Sequence, residues 1–373
     1  MPIKILWTTA VPNHYKIKFL DQLSRTPDIS LILLVGHDNK NQDIKISTGK
    51  LNFEVVSCDV SKAHYGFSLE IMKTFKELFP ASNRILVPAE KKNLLLLIYA
   101  CILRSESKRK YGSAPVLFSY NHPVFKSGSY RVTKIDVFLT KVFYRIYDRV
   151  IFYTETSCKS AIEKKLIAPE KAFWANNTID EEEVNKYYEF QYPPSEDLRI
   201  LFIGRLIPSK RIDLLLDYYS ALKGRFNIVN RSLKLEIIGD GPLRDLIRSY
   251  IARDMDIIWH GTLTEEKKIS PIMARSTVVF IPGASGLSIN HAFAYGRPYI
   301  TLQSNFHGPE ISYLEDGENG LLLTGNIKSD VEELYSLLTD SDKINALCSN
   351  ARTKGLSLSV KNWVDQMKNA LEA

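Results

Sequence analysis

Short apolar runs alternate with stretches of helical period from one end of the chain to the other, the pattern of parallel sheets with crossover helices. In the first half the strand-sized runs are Ile3–Thr8, Ser30–Val35, Asn52–Cys58, Arg84–Pro88, Pro115–Ser119 and Arg149–Tyr153, with helices expected over Tyr15–Leu23, Leu69–Phe79 and Val137–Tyr147. In the second half they are Arg199–Ile203, Lys234–Ile238, Ile257–Trp259, Val278–Ile281 and Pro298–Leu302. The expected class is α/β throughout.

A chain of 373 residues exceeds the size at which single cores stop growing, about 250 residues, so two domains of similar size are expected. The polar, Pro-containing stretch from Glu181 to Asp197 breaks the alternation and is the candidate linker. This gives an N-terminal domain over 1–185, a C-terminal domain over 195–355 and a tail over 356–373. The tail's amphipathic segment, Val360–Leu371 with Trp363 and Met367, is a candidate to cross back to the first domain.

The formal charge of +7 is uneven. Residues 1–190 hold 28 Lys and Arg against 20 Asp and Glu, whereas 191–373 hold 21 against 22. The basic half can attract an anionic membrane surface or a phosphate-bearing acceptor, but it carries no nucleic-acid motif, and no nucleic acid is expected. No signal peptide is expected, because the first apolar run is short and soon broken by Pro12 and His14. The run Leu94–Leu103 is about half of the ~20 residues needed to cross a bilayer; it reads as a core helix with a basic exit or as an interfacial dip. Cys58, Cys101, Cys158 and Cys348 lack metal or disulfide spacing, which suits reduced thiols in a cytoplasmic protein, at most at the inner face of a membrane.

Three turns in the second half sit where strands run into helices. Gly204-Arg205-Leu206-Ile207-Pro208-Ser209-Lys210 follows the strand ending at Ile203. Ligands of open parallel sheets bind beyond the carboxyl ends of the strands, and an Arg fork with a mobile Lys suits a diphosphate, though such a pair can equally be surface charge. Gly239-Asp240-Gly241-Pro242 follows the next strand. Gly283-Ala284-Ser285-Gly286-Leu287-Ser288 then opens a short helix, where free N–H groups can hold a phosphate oxygen.

In this order, and with Ala292-x-Ala294-x-Gly296-x-Pro298, Pro309-Glu310 and Asp316-Gly317-Glu318-Asn319-Gly320 beyond them, the turns resemble the retaining glycosyltransferases of family four. The resemblance implies a GT-B architecture, two Rossmann-like domains facing each other across a cleft. It implies a sugar moved from a nucleotide-diphospho-sugar, as donor substrate and not cofactor, to a carbohydrate or lipid-linked glycan, with retention and without a metal. Arg205 and Lys210 would bind the diphosphate and stabilise the departing nucleotide, with His122 as the cleft histidine. Gly204, Gly239, Gly241, His260, Gly261, Gly286, Leu287, Ser288, His291 and Glu310 would line the donor. Asn13, His14 and Tyr15 would meet the acceptor. No residue selects between a UDP and a GDP sugar.

Two places depart from the family. Gly283 and His291 stand where its members carry two glutamates with seven residues between them. A non-catalytic nucleotide-sugar-binding or partner-binding subunit and an epimerase on the same fold are therefore the competing readings. A phosphorylase would need a pyridoxal-binding Lys, for which there is no signal. Asp254-Met255-Asp256 matches a metal-binding acidic signature, but it precedes its strand and so lies at the wrong end.

Overall fold

The computed structural model describes residues 2–10, 14–36, 51–61, 64–122, 133–304 and 306–373. The chain divides into two compact units, Met1–Asn177 with Val360–Ala373, and Thr178–Ser359. The first holds an all-parallel sheet of β1 (Ile3–Thr9), β2 (Ile29–Gly36), β3 (Glu54–Cys58), β4 (Arg84–Leu86), β5 (Val116–Asn121), β6 (Arg149–Phe152) and β7 (Ala172–Trp174). Their order is β3-β2-β1-β4-β5-β6-β7. Helices α1 (His14–Ser24), α2 (Leu69–Leu78), α3 (Leu94–Tyr111), α4 (Lys134–Ile146) and α5 (Glu155–Glu163) connect them. The inner faces of α2 to α5 share one core with the sheet, around Ile71, Phe75, Leu97, Phe143 and Ala161.

The second unit opens on α6 (Glu181–Asn185). Its parallel sheet comprises β8 (Leu198–Ile203), β9 (Leu233–Ile238), β10 (Ile257–Trp259), β11 (Val278–Phe280), β12 (Tyr299–Leu302) and β13 (Gly320–Leu323), ordered β10-β9-β8-β11-β12-β13. Around it pack α7 (Ile212–Ile228), α8 (Arg244–Ile251), α9 (Glu266–Arg275), α10 (Ser288–Ala294), α11 (Ile327–Thr339) and α12 (Ser341–Ser357). Both sheets are the α/β architecture expected from the alternation. Two strands were not legible, β7 and β13. Both are sheet edges; the side chains of β7 are half-buried to exposed, and β13 opens on Gly320, so neither stands out as an apolar strand.

The expected linker at 181–197 is instead packed structure of the second unit, and the division falls at 177/178. Val184 and Tyr188 lie in the core. The Tyr188 hydroxyl donates to the Tyr295 carbonyl at 3.1 Å. Arg297, fully buried, donates to Tyr188 Oη at 2.9 Å, to the Gln191 carbonyl at 2.8 Å and to the α9 carbonyls of Met273 and Ala274. Those carbonyls face a cation at a helix C-terminus, which compensates the buried charge. Sequence polarity missed this strap because its few apolar residues are aromatic anchors spaced between polar ones.

The last helix, α13 (Val360–Glu372), belongs to the first unit. Val360, Trp363, Val364, Met367, Ala370 and Leu371 recur at helical spacing and bury the face that meets α1 and the sheet. Trp363 packs 5.3 Å from Phe19, and its indole N–H donates to the Tyr120 hydroxyl at 3.0 Å. Arg84 and Arg149 donate to the terminal carbonyls of Leu371 and Ala370 at 2.7 and 2.9 Å, where cations suit the helix dipole. Trp363→Ala is expected to cost the first unit about 3–5 kcal/mol, as for large core truncations. Denaturant unfolding followed by Trp fluorescence and circular dichroism should show this loss in one transition, with the second unit's transition unmoved.

Candidate functional site

In the second unit the strand order reverses between β8 and β11. Loops leaving two such neighbours turn to opposite sides and open a crevice at the carboxyl edge of the sheet. The loop from β8 carries Gly204 to Arg211, with Pro208 starting a 3-10 turn over Pro208–Lys210. Arg211 then takes a left-handed conformation (φ 53°), held by a forked pairing of its guanidinium with Asp213 at 2.9–3.2 Å. This non-glycine outlier turns the chain sharply into α7.

Neighbouring loops lock onto this one through their backbones. Gly204 N–H donates to the Ile238 carbonyl, Leu206 N–H to Asp240, and Leu243 N–H to Leu206. A Cβ on Gly239 (φ 133°) would run into the Gly204 carbonyl oxygen, so a side chain there would break the seam. From the β11 side, Gly283 N–H donates to the Lys210 carbonyl at 3.2 Å and Ala284 N–H to Ser209 at 2.8 Å. A Cβ on Gly283 would collide with the Ser209 oxygen and lie 2.5 Å from the Lys210 carbonyl carbon. In this backbone position 283 has no room for a side chain.

Two cations result. Lys210, partly buried, donates from Nζ to the Ala284 carbonyl at 2.6 Å, and Arg205 is exposed. Neither has a carboxylate partner among the described residues. Burial, with the Arg205 charge second, lowers the pKa of Lys210 from its ordinary value. Two mutually repelling cations without a carboxylate partner, set beside backbone donors, form an arrangement able to take an anion. The N–H groups of Gly286 and Leu287 have no acceptor among the described residues.

Beneath that turn lies a polar support. Tyr299 Oη donates to Ser285 Oγ at 2.9 Å and lies 2.8 Å from Ser288 Oγ. Ser285 N–H donates to His307 Nδ1 at 3.1 Å, while His307 Nε2 lies 2.8 Å from the Leu302 carbonyl. Nδ1 accepts and Nε2–H donates, so the ring is the neutral tautomer. Its pKa is lowered by burial, then by Lys210, against the Leu302 hydrogen bond. Glu310, buried, places Oε2 3.6 Å from where a Gly286 Cβ would stand. His307 has no spacing that marks it in the sequence.

The structure therefore gathers Gly204, Arg205, Lys210, Gly239, Gly241, Gly286, Leu287, Ser288 and Glu310 at one sheet edge. His260 and Gly261 join it from β10: Gly239 N–H donates to the Gly261 carbonyl at 2.7 Å. The His260 ring lies 2.7 Å from Glu236, a fully buried carboxylate that also takes Arg275 (2.8 and 2.7 Å) and Arg199 (2.5 Å). His291 on α10 turns toward α9, with Nε2 2.9 Å from Glu266 but without hydrogen-bond geometry; Tyr295 Oη donates to the same carboxylate at 2.7 Å. Glu266 escaped the sequence reading because only the fold brings it to His291.

Of the sequence-selected residues in the first unit, Asn13 lies outside the described residues. His14 and Tyr15 open α1 at the carboxyl end of β1, next to the reversal between β1 and β4. His122 is exposed just beyond β5, its ring 4.8 Å from that of Tyr153. Tyr153 and Lys16, whose Nζ donates to Tyr153 Oη at 3.2 Å, were not anticipated. Asp254 and Asp256 both pair with Lys223, at the amino end of β10.

A family model described as Glycosyl transferases group 1 matches residues 197–340. Over 148 residues, 39% of this chain, the sequence is 27% identical to a poly(ribitol-phosphate) alpha-N-acetylglucosaminyltransferase of Staphylococcus aureus; the chain spans 29% of that relative's length. Among solved structures, Anabaena HepE in complex with UDP superposes with a TM-score of 0.72 at 17% identity, covering 100% of both chains. The lipopolysaccharide outer core galactosyltransferase WaaB does so with 0.66 at 16% identity, covering 99% of each. The segment 197–340 is thus similar to the Glycosyl transferases group 1 model, and the chain shares its two-sheet α/β fold with these GT-B structures.

Proposed function

We propose that the chain transfers a sugar from a nucleotide-diphospho-sugar to a carbohydrate or lipid-linked glycan in glycan assembly, with retention. The observation that carries this reading is the unneutralised pair Arg205 and Lys210 at the strand-order reversal. In the reaction the bond from the anomeric carbon to the diphosphate breaks, an acceptor hydroxyl bonds to that carbon, and its proton leaves with the diphosphate. Charge grows on the leaving oxygens, and fixed cations stabilise it without reorganising. Arg205 forks the diphosphate and Lys210 follows the charge as it develops.

The two departed glutamates have stand-ins of a different layout. Glu310 reaches the Gly286 turn from below and takes the sugar-hydroxyl role that a side chain at 283 is sterically denied. The His291 and Glu266 pair offers a donor and an acceptor for ribose hydroxyls. Gly204, Gly239, Gly241 and Ser288 shape the diphosphate crevice, and His260 with Gly261 borders the base. His122 and the start of α1, with Asn13, His14 and Tyr15, are assigned to the acceptor side. No metal takes part, and the work is done in the cytoplasm.

The test incubates purified protein with UDP- and GDP-sugars and an extracted glycan or lipid acceptor. The expected result is acceptor-dependent release of nucleoside diphosphate, lost in Arg205→Ala. Donor binding without turnover on any acceptor would favour a binding subunit; a donor converted to its epimer without acceptor would favour epimerisation. If neither UDP nor GDP binds, the proposal fails outright.

A further inference from the structure

In the first unit, large exposed apolar side chains concentrate on two helices. On α3 they are Leu95, Ile98 and Ile102, at i, i+3 and i+7, with Ile102 50% exposed. On α4 they are Ile135, Phe138 and Val142, at the same spacing, with Ile135 and Phe138 70% and 65% exposed. Each helix already buries its opposite stripe in the same core, Leu96, Leu97, Ala100 and Leu103 from α3 and Phe143 and Tyr144 from α4. The two outward stripes therefore stand on one side of the sheet. A groove of about 760 Å³ runs along the α3 stripe, lined by Leu97, Ile98 and Ile102, by Ile146 of α4, and by the charged Glu106 and Arg109. Isolated surface apolar residues need no explanation, but two adjoining helical stripes with a groove do.

The charges of these helices indicate the occupant. α3 has four basic residues and α4 three, against one acidic residue each. Lys91 pairs with Asp136 and Arg104 with Asp148, which removes Asp136 and Arg104 from the count and leaves Glu106 as the one carboxylate of the two helices without an ion pair among the described residues. Lys108, Arg109, Lys110, Lys134, Lys141 and Arg145 form no ion pair among the described residues. An apolar surface interleaved with unpaired cations matches the layered chemistry of an anionic bilayer face, where acyl chains take the apolar side chains and headgroup phosphates the cations. An ordinary protein partner offers no such depth-ordered match, and long Lys and Arg stems reach headgroups readily. No helix among the described residues is long and apolar enough to cross a membrane, so contact through this face is peripheral.

We infer that the outward face of α3 and α4 docks the first unit on an anionic lipid surface. This stands independently of the donor site, which lies in the other unit.

The whole chain is mixed with vesicles of phosphatidylcholine alone and of equal parts phosphatidylcholine and phosphatidylglycerol, and bound protein is read by co-sedimentation. Binding to the anionic vesicles and not the neutral ones is expected. Ile102→Asp with Phe138→Asp, and separately Lys141→Glu with Arg145→Glu, should each weaken the partition by about tenfold or more, with the melting temperature unchanged because all four are surface positions. Lys210→Ala should bind vesicles as the parent does, so failure of the donor reading leaves this result intact. Equal binding to both vesicle types, indifference to either double variant, or no binding at all would overturn the inference. So would a concentration-dependent dimer in light scattering that Phe138→Asp abolishes, which would assign the face to a second copy.

Discussion

Lys210→Ala is expected to lower the turnover number for sugar transfer by about 10²–10³-fold, the loss typical of one preorganised donor to developing charge. The same substitution should leave the unfolding free energy of the second unit within about 1 kcal/mol of the parent, or raise it slightly, because it removes a partly buried cation that Arg205 repels. A residue whose loss cripples the reaction and spares the fold is held for the ligand. The pH dependence gives an independent check. A bound diphosphate favours the charged ammonium, so the pKa of Lys210, lowered in the free protein, rises on binding. Affinity for nucleoside diphosphate should therefore weaken as pH rises through that lowered value. In Arg205→Ala the repulsion is gone and the midpoint should move to higher pH. Isothermal titration across pH reads both effects; a pH-independent affinity, or a midpoint that ignores Arg205, would sink this role for Lys210.

Glu236→Ala carries the largest expected effect on the stability of the second unit. Its carboxylate is fully buried on β9 and collects Arg199, Arg275 and His260. Removing it strands cations designed around one anion, which costs about 3–5 kcal/mol for a buried pair. The lower end applies, since Arg275 is 36% exposed and Arg199 keeps Asp197 at 2.5 Å. Burial pushes the Glu236 carboxyl up, but the hydrogen bonds from His260, Arg275 and Arg199 outweigh it and hold the group well below the carboxylate range. The folded value thus lies below the unfolded one of about 4.3. Its stabilisation is fully present above that pH and is lost as pH falls toward the folded value. Urea unfolding at neutral and acidic pH should show a steeper acid loss in the parent than in Glu236→Gln. Because His260 leans on this carboxylate, the variant should also weaken nucleotide binding, whereas equal acid slopes would remove Glu236 from the account.

What the sequence disclosed and withheld follows the range of the interactions. Eleven strands were legible as local apolar runs; β7 was not, because its side chains are half-buried to exposed, nor was β13, which opens on Gly320 directly after a turn. Arg205 and Lys210 were legible as a loop between a strand and a helix, a short-range signature. The pairing of His291 with Glu266, the neutral His307 beneath Ser285 and the edge-on contact of His122 with Tyr153 were not, since each joins residues separated by many positions through the fold. Gly283 shows both sides. The glycine itself is plain in the sequence, but the Ser209 and Lys210 backbone pressed against it exists only in three dimensions.

The return of α13 to the first unit sets an order for biosynthesis. Multidomain chains ordinarily complete their N-terminal domain first as they leave the ribosome. Here the first unit lacks Trp363, Met367 and Leu371 until residues 178–359 have been translated, so its sheet emerges with the α13 side of its core uncovered. The second unit, contiguous in sequence, is free to close earlier. The later-made half can therefore close while the earlier half still lacks a segment encoded after both.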